Sequence, residues 1–204
     1  MSLKIICSIM VVISVSYAFA VPLPDIAEQT KKGSQSKPRL ASANQGNDRS
    51  ATTGFDSENV QLRSWLTPGD LGASNGNDCW GYTSPSGREY ALMGLNNRMG
   101  VVEITNPSNP TIIGSISHSS STWADIKVYQ DVAYVSNESG GGIDVIDLAQ
   151  VDSGIITLVQ RMTTGGLSSV HNIAIDEVSG FLYLCGGNIN NGRLVAYDLS
   201  DPRN

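Results

Sequence analysis

The sequence predicts an all-β fold, a β-propeller of four-stranded antiparallel blades with about three blades present. One observation is a block written three times: GVVEIT at residues 100–105, GIDVID at 142–147 and GRLVAYD at 192–198. The other is what precedes each block, an Asn/Gly-rich turn and a short tyrosine-bearing strand (EYALMG, DVAYVS, FLYLCG). Tyr90, Tyr134 and Tyr183 in those strands lie 44 and 49 residues apart. A period of that size, with several short strands in each unit, is the mark of a propeller blade.

The chain divides into three parts. Residues 1–20 read as a secretory signal peptide, with Lys4 as its basic start, an apolar run over 5–15 and the cleavage triplet Ala18-Phe19-Ala20. That run is shorter than the about 20 residues a spanning helix needs, so no stable membrane insertion is expected. Residues 21–58 are rich in Lys, Ser, Gln, Asn and Pro, with Phe55 their one aromatic side chain. Too little apolar surface is available there to offset the entropy of ordering, which predicts a flexible polar linker. Residues 59–204 hold the propeller.

Within 59–204 the middle unit is the plainest. Its strands are expected at 126–129, 132–136, 142–147 and 155–161, joined by a tight Gln130-Asp131 turn and the loop NESGG. Short β-branched runs separated by Gly, Asn, Asp and Ser are what consecutive hairpins look like. The first unit aligns as 80–83, 89–94, 100–105 and 111–117. The third gives 173–176, 181–185 and 193–199, leaving its outer strand unfilled and the ring truncated. An orphan strand at 59–66 (NVQLRSWL) resembles a fourth strand without the preceding three. Propellers often close by pairing their termini, and unless this strand covers the open edge of 193–199 the chain is expected to be poorly soluble or oligomeric.

Charge and cysteine content bound the partners. Lys4 carries +1 and the linker is neutral, so the whole-chain charge of −6 leaves −7 on the propeller. An acidic body argues against nucleic acid. Cys79 and Cys185 fall in the first and third units, and whether they form a disulfide stays open at this point.

The segment GVVEITNPSNPTIIGSI resembles the LVIVD-type repeat. Together with NDCWGY, REYALMG, VHNIAID and YLCGGN, it makes residues 59–204 similar to the exported propellers of the choice-of-anchor B family. The resemblance implies a secreted or surface-displayed propeller and supplies no catalytic role.

An up-and-down blade sends the loops that enter its first strand, and those joining its second and third, to one face. Here those loops hold most of the Asn, Gly, Ser and His residues, and loops on a rigid scaffold are where binding usually resides. Three positions align at the mouth of the channel: Asp78, Asp125 and the His171-Asn172 pair. Oxygen ligands converging there, Asp78 and Asp125 first, are candidates to hold calcium. The bland reading is that these Asx residues cap turns through backbone N–H groups. Asn137 opens the sequon Asn-Glu-Ser in a loop expected to be exposed, and is a glycosylation candidate. Trp65, Trp80 and Trp123 are expected to pack between blades rather than form a sugar or peptide platform. No Gly-x-Ser-x-Gly elbow, HExxH helix or Gly-x-Gly-x-x-Gly fingerprint occurs. The expected function is therefore a binding scaffold for a protein or glycan partner. The competing expectation is a metal-dependent, lactonase-like hydrolase working at the central channel.

Overall fold

The computed structural model describes residues 61–204 and three two-residue strands before them, β1 (Lys4–Ile5), β2 (Met10–Val11) and β3 (Ile13–Ser14). The remainder of the expected signal peptide and the whole of the expected linker lie outside the described residues. Beyond β4 (Trp65–Leu66), three antiparallel sheets follow one another along the chain. The first is β5 (Gly76–Thr83), β6 (Glu89–Leu95), β7 (Arg98–Glu103) and β8 (Thr111–Ser117). The second is β9 (Ile126–Tyr129), β10 (Val132–Val135), β11 (Ile143–Asp147) and β12 (Thr157–Met162). The third is β13 (Val170–Asp176), β14 (Phe181–Gly187) and β15 (Val195–Asp198). Strand order follows chain order in each sheet, and no α-helix occurs among the described residues. These are blades of a partial β-propeller.

Local chemistry makes the hairpins. A two-residue turn joins β9 to β10 and sets Gln130 at φ 55, as a twist-matched hairpin turn requires. Asp176 closes the β13–β14 turn by accepting the backbone N–H groups of Val178 and Ser179. Alternation along the middle strands then builds the core. Tyr90 and Leu92 of β6 meet Ala133 and Val135 of β10 in one apolar cluster between the first two blades. Val132 and Tyr134 of β10 meet Leu182 and Leu184 of β14 in a second cluster, between the second and third blades. β10 is thus buried on both faces. Ala91, Met93 and Leu95 turn the other way, under Leu66 and Leu71 of the segment entering the first blade.

The tyrosine spacing that advertises the repeat is not the register of the hairpins. Tyr90 lies opposite Glu103, whereas Tyr134 lies opposite Val145, and it is Val132 that faces Asp147. The Ile104 N–H donates to the Glu89 carbonyl and the Leu148 N–H to the Asp131 carbonyl, so Tyr90 follows its closing residue by one position and Tyr134 by three, a slip of two. A slip of two keeps a side chain on the same face of the sheet, so both tyrosines still point at the following blade. Each hydroxyl donates into that blade's connection between third and fourth strand positions: Tyr90 to Asp152 Oδ1 at 2.7 Å, and Tyr134 to the Pro202 carbonyl at 2.5 Å.

The strand expected at 59–66 is corrected. Residues 59 and 60 lie outside the described region, and only Trp65–Leu66 is extended. It pairs with β2, Met10 opposite Leu66 and Val11 opposite Trp65, and not with β15. Leu66 is spent on the apolar face of the first blade, which keeps this segment at that end of the row.

The Tyr90 tie has a pH signature. Its hydroxyl is the largest influence holding the Asp152 carboxyl below the usual carboxylate range, ahead of Ser86 and Ser84. A carboxylate with a depressed folded value stabilises the fold above its unfolded value of 3.8, and that contribution is lost as pH falls through the folded value. Tyr90→Phe is expected to be less stable than wild type at pH 7, with the gap narrowing below about pH 3.8. Denaturant midpoints of both proteins at pH 7 and pH 3 check this; an equal gap at both would remove the linkage.

Candidate functional site at the loop-rich face

Of the four residues expected at a channel mouth, three fall on the first strands of their blades and the fourth lies one residue before its strand. Asp78 is on β5, His171 and Asn172 are on β13, and Asp125 immediately precedes β9. Asp78, Asp125 and Asn172 repeat every 47 residues, a stricter period than that of the tyrosines. The two aspartates do the same structural job. Asp78 Oδ2 accepts the Ile126 N–H at 2.9 Å, and Asp125 Oδ2 accepts the Ile173 N–H at 2.7 Å. Each carboxylate thereby ties its blade to the first strand of the next. Asn172, at the third such position, is exposed.

Asp78 and Asp125 do converge, and the cation between them is Lys127. Its ammonium contacts Asp125 Oδ1, donates to the Ile126 carbonyl at 2.9 Å and lies 3.9 Å from Asp78 Oδ2. The same ammonium sits 4.6 Å from the centroid of Trp80, a cation–π arrangement that the repeat makes possible because Trp80 and Lys127 are also 47 residues apart. Burial is the first cause raising the Asp78 carboxyl above its usual range, followed by the hydrogen bond with Asp125. Calcium prefers six to eight oxygens. Here one oxygen of each aspartate is committed to a backbone N–H and a lysine stands beside both. Among the described residues no three His, Cys, Asp or Glu side chains gather at one point. Lys127 carries no motif; aligning the inner strands at a period of 47 would have placed it beside the two aspartates.

His171 turns away from this cluster. Its Nδ1 contacts Glu138 Oε1, and its ring meets Trp123 edge-on with centroids 5.9 Å apart. Trp80 packs on the core between the first two blades, as expected. Trp123 does not: it is 49% exposed on the loop before β9. Packing between blades is corrected there, because the loop lifts the ring above the sheets.

That loop is held from below. Asn77 donates to the Thr122 carbonyl at 2.7 Å and accepts the Ala124 N–H at 3.2 Å. The Ser121 hydroxyl donates to the Trp123 carbonyl and accepts its N–H, at 2.8 and 3.2 Å. Gly94 lies tight underneath, since a Cβ there would stand 2.3 Å from the Ala124 carbonyl oxygen.

A second repeated device orders the face. In each blade an asparagine after the second strand clamps the loop that enters the first. Asn96 Oδ1 accepts the Ser74 and Asn75 N–H groups, and Asn188 Oδ1 accepts those of Ser168 and Ser169. Asn137 is the middle member, donating to the Ser119 carbonyl at 2.7 Å and accepting the Ser139 N–H. Its amide is consequently buried, with 4% of the residue exposed. The loop of the sequon is exposed at Glu138 and Ser139 as expected, but the Asn137 side chain itself is a clamp. Beside it His118 Nδ1 meets the Asn137 amide, and Asp144, paired with Arg161 at 3.0 Å, is raised chiefly by burial. No disulfide joins Cys79 to Cys185; Cys79 packs in the first blade and Cys185 is exposed on the third.

Two clefts flank Trp123. One of about 520 Å³ is lined by Asn75, Asn77, Asn96 and residues 120–123. The other, about 480 Å³, holds Asp78, Asp125 and Lys127. No protein-family model matches this chain, and no curated protein matches it either.

Proposed function

We propose that this protein is an exported, surface-acting propeller of the LVIVD-repeat, choice-of-anchor B kind, and that it holds a protein or glycan partner on its loop-rich face. The observation that carries this reading is a rigid loop that presents an exposed tryptophan. Trp123 is 49% exposed, yet its backbone is fixed on both sides by Ser121 and Asn77. A large ring displayed at little entropic cost is what recognition surfaces use. The repeated Asn clamps stiffen the neighbouring loops in the same way. A hydrolase at the channel draws support from the nearness of Asp78 and Asp125, but their oxygens serve Ile126, Ile173 and Lys127, which favours a structural role. Among the described residues no helix is long and apolar enough to cross a membrane.

The test compares the two faces. Wild type, Trp123→Asp and Val178→Asp are applied to arrayed glycans and candidate surface proteins. Val178 is 98% exposed in the tight turn on the opposite face. Binding is expected to be lost with Trp123→Asp and kept with Val178→Asp. Binding that survives the first substitution and fails with the second would place the active surface on the other face.

A further inference from the structure

We propose that the cleft beside Trp123 is a binding site for a neutral saccharide; this rests on the loop-rich face being the binding face. The lining is Asn75, Gly76, Asn77, Asn96, Ser120, Ser121, Thr122 and Trp123. None of these side chains ionises, in a protein whose net charge is −6. A cleft with no charge has nothing to offer an anionic or cationic ligand over a neutral one.

What the cleft does offer divides into used and unused groups. Asn77 and the Ser121 hydroxyl are spent on the loop backbone, and Asn96 Oδ1 on Ser74 and Asn75. The Asn96 amide NH₂, the Asn75 amide and the Ser120 and Thr122 hydroxyls make no hydrogen bond to the described residues. Together they supply both donors and acceptors at the rim of an exposed indole ring. A lipid tail would leave those groups unsatisfied, and a purely polar ligand would leave the indole wet. A sugar satisfies both: one face of its ring is C–H and lies on an aromatic plane, while its edge is hydroxyl. The volume of about 520 Å³ falls inside the range of about 300–1,000 Å³ usual for small-ligand sites.

The boundary of the site supports the same class. Trp123 lines both this cleft and the neighbouring one that holds Asp78, Asp125 and Lys127, and neither those three residues nor His171 and Glu138 line the neutral cleft. The charged residues of the face are therefore absent from the lining of the neutral cleft. The loop is set before any ligand arrives, so little ordering entropy opposes binding.

The experiment titrates the full chain with neutral di- and oligosaccharides of glucose, galactose, mannose and N-acetylglucosamine, and with sialylated and sulfated counterparts, followed by tryptophan fluorescence and calorimetry. At least one neutral series is expected to bind, with affinity unchanged between 0.05 and 0.5 M salt because no ion pair is screened. Trp123→Ala is expected to weaken it about tenfold or more, and Thr122→Ala and Asn75→Ala less so, at an unchanged melting midpoint. Trp123→Phe should recover part of the loss. Absence of binding across the neutral panel, preference for the anionic sugars, or full affinity in Trp123→Ala would each overturn the proposal. If a protein partner is still lost with Trp123→Asp and kept with Val178→Asp, the binding-face reading stands and only the saccharide fails.

Discussion

Asp125→Ala is expected to lower the stability of this propeller by about 2–4 kcal/mol, and its melting midpoint by roughly 5–15 °C. The residue does two things at a junction of blades. Its Oδ2 is the acceptor for the N–H of Ile173, a residue only 2% exposed, and its Oδ1 faces the ammonium of Lys127. Alanine leaves a buried donor with no acceptor and removes the nearer of two carboxylates from a partly buried cation. Asp125→Asn keeps an oxygen for Ile173 and loses the charge, so about 1 kcal/mol is expected. The molecule contains its own control. Asn172 occupies the same repeat position but is exposed, and Asn172→Ala is expected to stay within about 0.5 kcal/mol of wild type. Thermal and urea unfolding of the three variants measure this. Equal effects at positions 125 and 172 would show that the inter-blade tie contributes nothing. Calcium added to these same melts is expected to leave the wild-type midpoint in place, because Lys127 already stands beside both aspartates and one oxygen of each is committed to a backbone N–H.

Gly142→Ala is expected to cost about 3–5 kcal/mol, combining a left-handed backbone with a steric overlap. Gly142 has φ +75, and a Cβ there would stand 2.1 Å from the Met162 carbonyl oxygen. Met162 ends the strand paired with β11, so the overlap is with backbone that cannot step aside without breaking the ladder. Gly100 opens the matching block in the first blade, and there the nearest atoms are the methyl ends of Leu71 at 3.3 Å. A flexible side chain can yield by that much. Gly100→Ala is expected to cost under about 1.5 kcal/mol. Far-ultraviolet spectra and denaturant midpoints separate the two outcomes, and similar losses at both positions would contradict the distinction.

The same pair of glycines shows how far the sequence could be read. Both stand at the head of a recurring block, and the blocks locate the third strands of the first two blades to within a residue or two. Strand positions were legible because β-branched runs and Asn/Gly turns encode hairpins locally. What the letters did not carry is which glycine is crowded, since the atom that crowds Gly142 comes from another strand. The tyrosines repeat the lesson. Their spacing announced blades, and the two-residue slip between Tyr90 and Tyr134 is invisible until cross-strand partners are known.

At the face, Asp78 and Asp125 come together, whereas His171 turns to Glu138 and Trp123 and Asn172 is exposed. The chemistry of the two aspartates was not legible, because the deciding group is Lys127, an unremarkable letter in the strand IKVY. Asn137 looked like an acceptor for a glycan for a related reason. A sequon is a local pattern, whereas the clamp that buries Asn137 involves Ser119, 18 residues away. Trp123 reversed the usual expectation for a large aromatic residue, because burial is decided by the loop that carries it.

By itself, then, the sequence determined the all-β class, the order of the strands, the division into repeated blades and the face on which the longer polar loops collect. Each of these follows from interactions among near neighbours in the chain: pleat alternation, turn chemistry and the period of the repeat. Only the tertiary structure decided that the aspartates bind backbone and lysine, that Asn137 is internal and that Trp123 stands in solvent. Apart from the Asp125–Lys127 contact, which is two positions apart, those outcomes depend on contacts between residues 18 to 48 positions apart, and such contacts exist only once one blade has packed against the next.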